Sequence, residues 1–222
     1  MPDPIDSPRP SWREFLRFAV IAVGITLIPH YALLLEQVRR LKGFGNVVLL
    51  GGAAASYVLW CAAIIALGFW AKKLQGSWKA LGVALPTSWR EVLGIGGGCG
   101  VFSFGISHLF VLAMHGGVAL ARLSIVPSVL GRGVISTVLL AFWEEFLYRG
   151  VLYGLAQRFS SRRTAAILSS LIFALTHPPS VWPVVFISSL IYCHVYDHTK
   201  SICGPGLSHS IHNILIDLIK SA

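Results

Sequence analysis

The chain has 222 residues, 55% hydrophobic and only 12% Asp, Glu, Lys or Arg. A soluble domain carries about 25% charged residues. Half that share excludes a water-facing globule, a disordered chain, a collagen-like fibre and a disulfide-stapled secreted domain, and it leaves a polytopic membrane protein. The net charge of +9 then reads as Lys and Arg gathered in cytoplasmic loops. It is no nucleic-acid footprint, because no stretch interleaves basic and aromatic residues on a soluble face.

Residues 1–14 read as an N-terminal tail, with Asp3, Asp6 and several prolines. The tail lacks the basic start of a signal peptide, and the apolar run after it lacks an A-x-A cleavage site, so the run reads as a retained first span. Residues 15–222 read as a single membrane domain. Crossing a hydrocarbon core of about 30 Å takes roughly 20 apolar residues as helix, and unpaired backbone is not tolerated there. Seven apolar runs meet that description in whole or in part: 15–35, 47–71, 92–114, 126–156, 164–177, 181–197 and 207–219. The expected fold is therefore all-α, a polytopic bundle of about seven transmembrane helices. His177-Pro178-Pro179 must separate the fifth run from the sixth, since proline cannot continue a helix.

Lys and Arg number eleven on the N-terminal side of this arrangement and six on the other, with Arg149 left inside a span. That asymmetry places the N-terminus in the cytoplasm and the C-terminus outside, and the expected location is a bacterial inner membrane. Residues 72–90 read as a linker outside the lipid, with a short interfacial helix at 77–81. In the third run, the small-residue pairs Gly94/Gly98 and Gly96/Gly100 suit close helix approach. Cys61, Cys99, Cys193 and Cys203 form no CxxC pair and read as small hydrophobes. His30 and His108, alone in apolar runs, read as core or interfacial residues. His194, Tyr196, Asp197 and His198 read as the structural end of the sixth run.

The fourth run is interrupted by Glu144, Glu145 and Arg149. Each ionised group costs about 2.5–3.5 kcal/mol at the centre of a spanning helix on insertion scales, so a segment that keeps three is using them. Glu145 and Arg149 stand at i, i+4 and can pair on one face; their bland role is a helix-locking ion pair. Glu144 points about 100° away and has no partner within the motif. Its bland role would be to snorkel to the interface.

His177 ends the fifth run. It lies as far after the basic loop 158–163 as Glu144 lies before it, so an antiparallel pair puts both at roughly 16–18 Å depth, at 1.5 Å per residue. Its bland role is capping. In the last run, His209 and Asn213 share a face at i, i+4, with His212 about 60° aside; their bland role is interhelical hydrogen bonding, which suits His212 better than the other two. Counting from Lys200 puts His209 shallower than Glu144, unless the helix enters tilted or partly unwound through Gly204-Pro205-Gly206.

An acid, a histidine and a His/Asn donor pair are the parts of water-driven amide hydrolysis. A carboxylate takes the proton of the attacking water, and aimed donors hold the oxyanion. H-E-x-x-H is absent, yet Glu144, His177 and His209 could still supply three zinc ligands. Ser208 abuts His209 and makes a poor dyad with it. A proton relay through Glu144 and His177 in a carrier is a further reading, weakened by the lack of paired broken helices.

Glu144-Glu145-x-x-x-Arg149, Phe173-x-x-x-His177 and His209-x-x-x-Asn213, taken together, resemble the three signatures of the CPBP family (CAAX protease and bacteriocin-processing, or ABI), intramembrane glutamic proteases. The resemblance covers roughly 134–216. It implies an all-helical catalytic core at about 126–219, with Glu144 as the water-activating base and His177 helping to hold the water. It implies His209 and Asn213 as the oxyanion pair, Glu145 and Arg149 as supporting residues, and no metal or other cofactor. His212 is no part of the pattern. The implied partners are the lipid bilayer and a membrane-associated protein or peptide substrate. Some relatives trim prenylated CAAX proteins, others serve bacteriocin immunity or sorting-tail processing. A non-catalytic immunity or binding protein of the same fold is the alternative.

Overall fold

A computed structural model describes residues 11–41, 46–115 and 137–220, with side chains over 11–26, 58–114 and 137–218. Among them there is no strand. Helix α1 is Trp12–Leu41 and α2 is Asn46–Gln75. Helix α3 joins Trp89–Glu91, a π-helical turn at Val92–Gly96, and Gly97–His115. Helix α4 is in place at 137, widens into a π-helix over Phe146–Tyr153 and closes with Gly154–Ala156. Helix α5 is Arg162–Leu175, α6 is Trp182–Thr199 after a 3₁₀ turn at Pro179–Val181, and α7 is Cys203–Lys220. Residues 126–136 of the fourth expected run, and the side chain of His30, lie outside the described residues.

The helix starts follow local chemistry. Ser11 and Glu14 form a capping box: the Glu14 amide donates to Ser11 Oγ at 3.3 Å, and Glu14 Oε2 accepts from the Ser11 amide at 2.6 Å. Helix α1 therefore begins at Trp12, inside the stretch expected to be tail. Ser161 caps α5 by accepting from the Thr164 amide at 3.1 Å. Helix α5 stops at Leu175, before His177-Pro178-Pro179, as proline demands.

Polarity is inverted relative to a soluble protein. Val58, Leu59 and Phe69 on α2 and Phe102, Leu109 and Met114 on α3 stand exposed, whereas Glu144, Glu145, Arg149, Ser169, Ser189 and His209 are buried. Such an outer surface is stable only against lipid. Three helical windows are long and apolar enough to cross a membrane among the described residues, Val58–Gln75, Trp89–Met114 and Pro179–Thr199. At 14 residues, α5 rises only about 21 Å at 1.5 Å per residue, short of a 30 Å core. Helices α4, α5 and α7 carry their polar groups inward, which lowers their mean hydropathy.

Helix α4 is the central rod. Every residue from Phe146 to Tyr153 is buried, the condition of a helix packed on all sides. Tyr148 bonds across to α1, its hydroxyl 2.8 Å from Thr26 Oγ. Thr26 donates its own hydrogen to the Ala22 carbonyl at 2.9 Å, so Tyr148 is the donor. At the other end, Asp197 of α6 accepts from Tyr153 of α4 and Arg162 of α5, each at 2.5 Å. That ties three helix ends together, the structural role expected for Asp197.

The segment expected as an external linker is instead packed onto the bundle. Residues 77–82 form turns, not a helix. Leu81 is fully buried, and a Cβ on Gly150 would come within 2.6 Å of its carbonyl oxygen. The Gly82 carbonyl accepts from the Ile202 amide at 3.1 Å, and the Ala84 carbonyl from Ser201 Oγ at 2.8 Å. Leu81 is apolar and follows two turn residues, so the segment folds back rather than running through water.

Helices α3 and α7 meet along half of the glycine stripe. A Cβ at Gly100 would lie 2.7 Å from the Ser208 carbonyl oxygen, and one at Gly96 would lie 3.0 Å from that of Gly204. Gly94 and Gly98 are exposed and have nothing within 4 Å, so only the Gly96/Gly100 pair serves close approach. Gly100→Val should therefore destabilise the protein by about 1–3 kcal/mol, the usual cost of overpacking, while Gly98→Val is tolerated. Thermal unfolding of the two variants in detergent checks this; equal midpoints would contradict it.

Candidate active site

The charged residues of α4 sit at the heart of the bundle. Arg149 is fully buried and donates through Nη1 to Glu145 Oε1 at 2.9 Å, the i, i+4 pair expected from the spacing. Its Nη2 donates to Ser189 on α6, at 2.7 Å to Oγ and 3.2 Å to the carbonyl oxygen. The guanidinium also lies over the rings of Phe173 and Tyr192, at 4.9 and 5.2 Å, a favourable cation–π arrangement.

Glu145 does more than pair with Arg149. The same Oε1 lies 2.8 Å from His209 Nδ1. An ionised carboxylate only accepts, so His209 carries a hydrogen on Nδ1 and turns Nε2 outward. That Nε2 lies 3.7 Å from Glu144 Oε2. Glu144 is buried, with 7% of its surface exposed; it does not snorkel to the interface. The ring of Tyr192 stacks on His209 at 5.0 Å and 23°, fixing the plane of the imidazole.

His209 reaches this depth without unwinding. Helix α7 is regular from Cys203, and the turn before it is itself inside the protein. Lys200 adopts the left-handed conformation (φ 51°), Ser201 is buried, and residues 78–85 cover the turn. Counting depth from Lys200 fails because Lys200 reaches outward from a chain already turning inward. Gly206 lets α7 pass α4, since a Cβ there would strike the Phe142 ring at 2.8 Å.

His177 follows the end of α5. Its Nδ1 lies 3.0 Å from the Phe173 carbonyl oxygen and 3.3 Å from Thr176 Oγ. Donation from Nδ1 to that carbonyl leaves Nε2 as an acceptor. The His177 carbonyl accepts from Trp182 Nε1 at 2.7 Å, so the Pro-Pro turn is pinned to the start of α6. Phe173 touches both imidazoles, at 4.8 Å to His177 and 5.8 Å to His209.

A cavity of about 240 Å³ brings His177, His209 and Asn213 together, walled by Phe173, Tyr192 and aliphatic side chains. Asn213 makes no hydrogen bond to any described residue, so it is not the interhelical tie that its spacing also allowed. The structure thus gathers Glu144, Glu145, Arg149 and His209 into one contact set, and His177, His209 and Asn213 around one cavity, with His209 common to both. Among the described residues no three His, Cys, Asp or Glu side chains are grouped to hold a metal ion. Tyr192, Ser189 and Ser103 were not singled out by the sequence. A serine or tyrosine in an apolar run is unremarkable until its neighbours are known.

No curated protein and no solved structure matches the chain. A family model does, described as type II CAAX prenyl endopeptidase Rce1-like, over residues 126–215. Glu144, Glu145, Arg149, His177, His209 and Asn213 all fall within that stretch, over which the chain is similar to the Rce1-like, CPBP-type CAAX membrane proteases.

Proposed function

We propose that this chain is an intramembrane glutamic endopeptidase that hydrolyses a peptide bond of a membrane-associated protein or peptide. The observation that carries the reading is the common position of His209, whose Nε2 faces Glu144 and whose ring lines a cavity with His177 and Asn213. In this mechanism Glu144 removes a proton from water, whose oxygen attacks the scissile carbonyl carbon. His177 Nε2 accepts the water's second hydrogen bond. The oxyanion is held by His209 Nε2–H and Asn213 Nδ2–H. Collapse breaks the C–N bond, and the proton held by Glu144 passes to the leaving nitrogen.

The donor role of His209 requires a hydrogen on Nε2 as well as the one given to Glu145 by Nδ1. The Lys and Arg excess orients the N-terminus to the cytoplasm.

The test is cleavage of a farnesylated C-a-a-X reporter peptide by the purified protein in proteoliposomes. Asn213→Ala should lower kcat about 100- to 1,000-fold, the usual effect of losing one oxyanion donor, with little change in unfolding temperature. Undiminished turnover by that variant would remove Asn213 from the mechanism.

A further inference from the structure

Asp197 ties the end of α6 to its neighbours, accepting from Tyr153 and Arg162. His194 and His198, on the outward side of the same helix, take no part in that tie. They are exposed, share a face at i, i+4 and meet edge to face at 4.5 Å. Arg163 on α5 is exposed too. The side chains of Arg163, His194 and His198 make no hydrogen bond or ion pair to any described residue.

A cavity of about 380 Å³ between α5 and α6 gathers these groups, with Arg162 beside them and Ala166 and Leu190 continuing its wall. Asp197 also lines it, but its carboxylate already answers Arg162 and, at 3.8 Å, Lys200. The charge of Arg163 is therefore unanswered, and the cavity suits an anion. It lies at the basic end of the bundle, since Arg158 donates to the Leu74 carbonyl at 3.0 Å and so brings the Arg158–Arg163 loop beside Lys72 and Lys73.

Away from this end the groove turns apolar. Ile167 and Leu171 follow Arg163 at i+4 and i+8 on α5, and Leu190 and Ile187 precede His194 by four and seven residues on α6. Ile167, Leu171 and Ile187 are exposed, and α6 lies in a window long and apolar enough to cross a membrane. Cations and N–H donors at the rim with apolar side chains below follow the order of polarity in a phospholipid, headgroup above acyl chains. Basic pockets between helices at such a rim hold anionic headgroups, because fixed cations there meet a negative lipid surface.

We propose that this groove binds an anionic phospholipid of the bilayer. Its phosphate accepts from Arg163, His194 and His198, and its acyl chains lie along Ile167 and Ile187. A neutral imidazole offers one N–H in either tautomer, so recognition requires no particular one. The groove shares no lining residue with the cavity of His177, His209 and Asn213, and the proposal does not rest on peptide cleavage.

The experiment titrates the full-length protein in detergent micelles with phosphatidylglycerol or phosphatidylcholine of the same acyl chains, and reads bound lipid by native mass spectrometry. Glycerophosphoglycerol serves as the same headgroup without chains. The parent should retain one phosphatidylglycerol about tenfold more tightly than phosphatidylcholine. Arg163→Gln should weaken that binding about fivefold, the equivalent of about 1 kcal/mol for one cation at a membrane surface, and Arg163→Lys should keep most of it. His194→Leu/His198→Leu should weaken it by about tenfold, the worth of one hydrogen bond near 1.4 kcal/mol. Lys73→Gln/Lys79→Gln removes two exposed cations outside the groove and should leave the preference intact. Unfolding temperatures in phosphatidylcholine should match the parent's, since none of these side chains ties one helix to another. Equal retention of both lipids by the parent overturns the proposal. So does an equal loss from the lysine pair and from Arg163→Gln, which would mean attraction to the whole basic end. Glycerophosphoglycerol binding as tightly as the lipid also overturns it, in favour of a site for free phosphate esters.

Discussion

Glu144→Gln is expected to reduce cleavage of the reporter peptide about 10³- to 10⁴-fold, toward the upper end of what a general base contributes, while the protein still inserts and unfolds near the parent's temperature. The substitution keeps the shape of the side chain and its ability to accept a hydrogen bond. It removes the negative charge and with it the capacity to take a proton. Glu144 has no share in the Arg149 contacts that hold the core together, and its nearest charged neighbour in α7 is His209 Nε2 at 3.7 Å, beyond hydrogen-bond length. Cleavage rates and thermal unfolding on the same preparation check both halves of the expectation. Parent-like turnover would exclude Glu144 as the base and would favour a protein that binds without cutting.

The second large effect is on stability. Arg149→Met should cost about 3–5 kcal/mol, the usual penalty for orphaning one member of a buried ion pair. For a chain of this size that lowers the unfolding temperature by roughly 6–20 °C. Arg149 gives up a 2.9 Å contact to Glu145, two to Ser189, and the faces of Phe173 and Tyr192. Glu145 is left buried with only His209 to answer its charge. In the double variant Glu145→Met/Arg149→Met both charges disappear, and much of the stability should return, since apolar replacement of a whole buried pair is often neutral. Activity should not return with it, because His209 Nδ1 then has no carboxylate to fix its ring. Stability recovered without activity would assign Glu145 to the orientation of His209. Recovery of both would reduce the pair to a structural tie.

The spacing of single side chains made part of this legible beforehand. Glu145 and Arg149 at i, i+4 are close in any helix, π-widened or not, so their pairing needed no tertiary information. Pro178-Pro179 had to end α5. Charged and polar groups inside apolar runs of a chain too apolar for water pointed to a candidate site. What a one-dimensional count could not supply was the path of the chain between helices. The 72–90 stretch looked like an external linker because four of its residues are Lys or Arg, yet Leu81 is buried and the carbonyls of Gly82 and Ala84 hold the turn into α7. His209 was consequently placed too shallow.

The sequence by itself determined that the chain is a helical membrane protein and singled out six side chains as candidates, because the cost of charge in lipid and the pitch of a helix are local properties. Tertiary structure alone decided that Glu145 meets His209 as well as Arg149, that half of the glycine stripe is used, and that His212 lines the cavity. Those outcomes depend on which atoms of distant helices come within hydrogen-bond reach, and no spacing along a single helix encodes that.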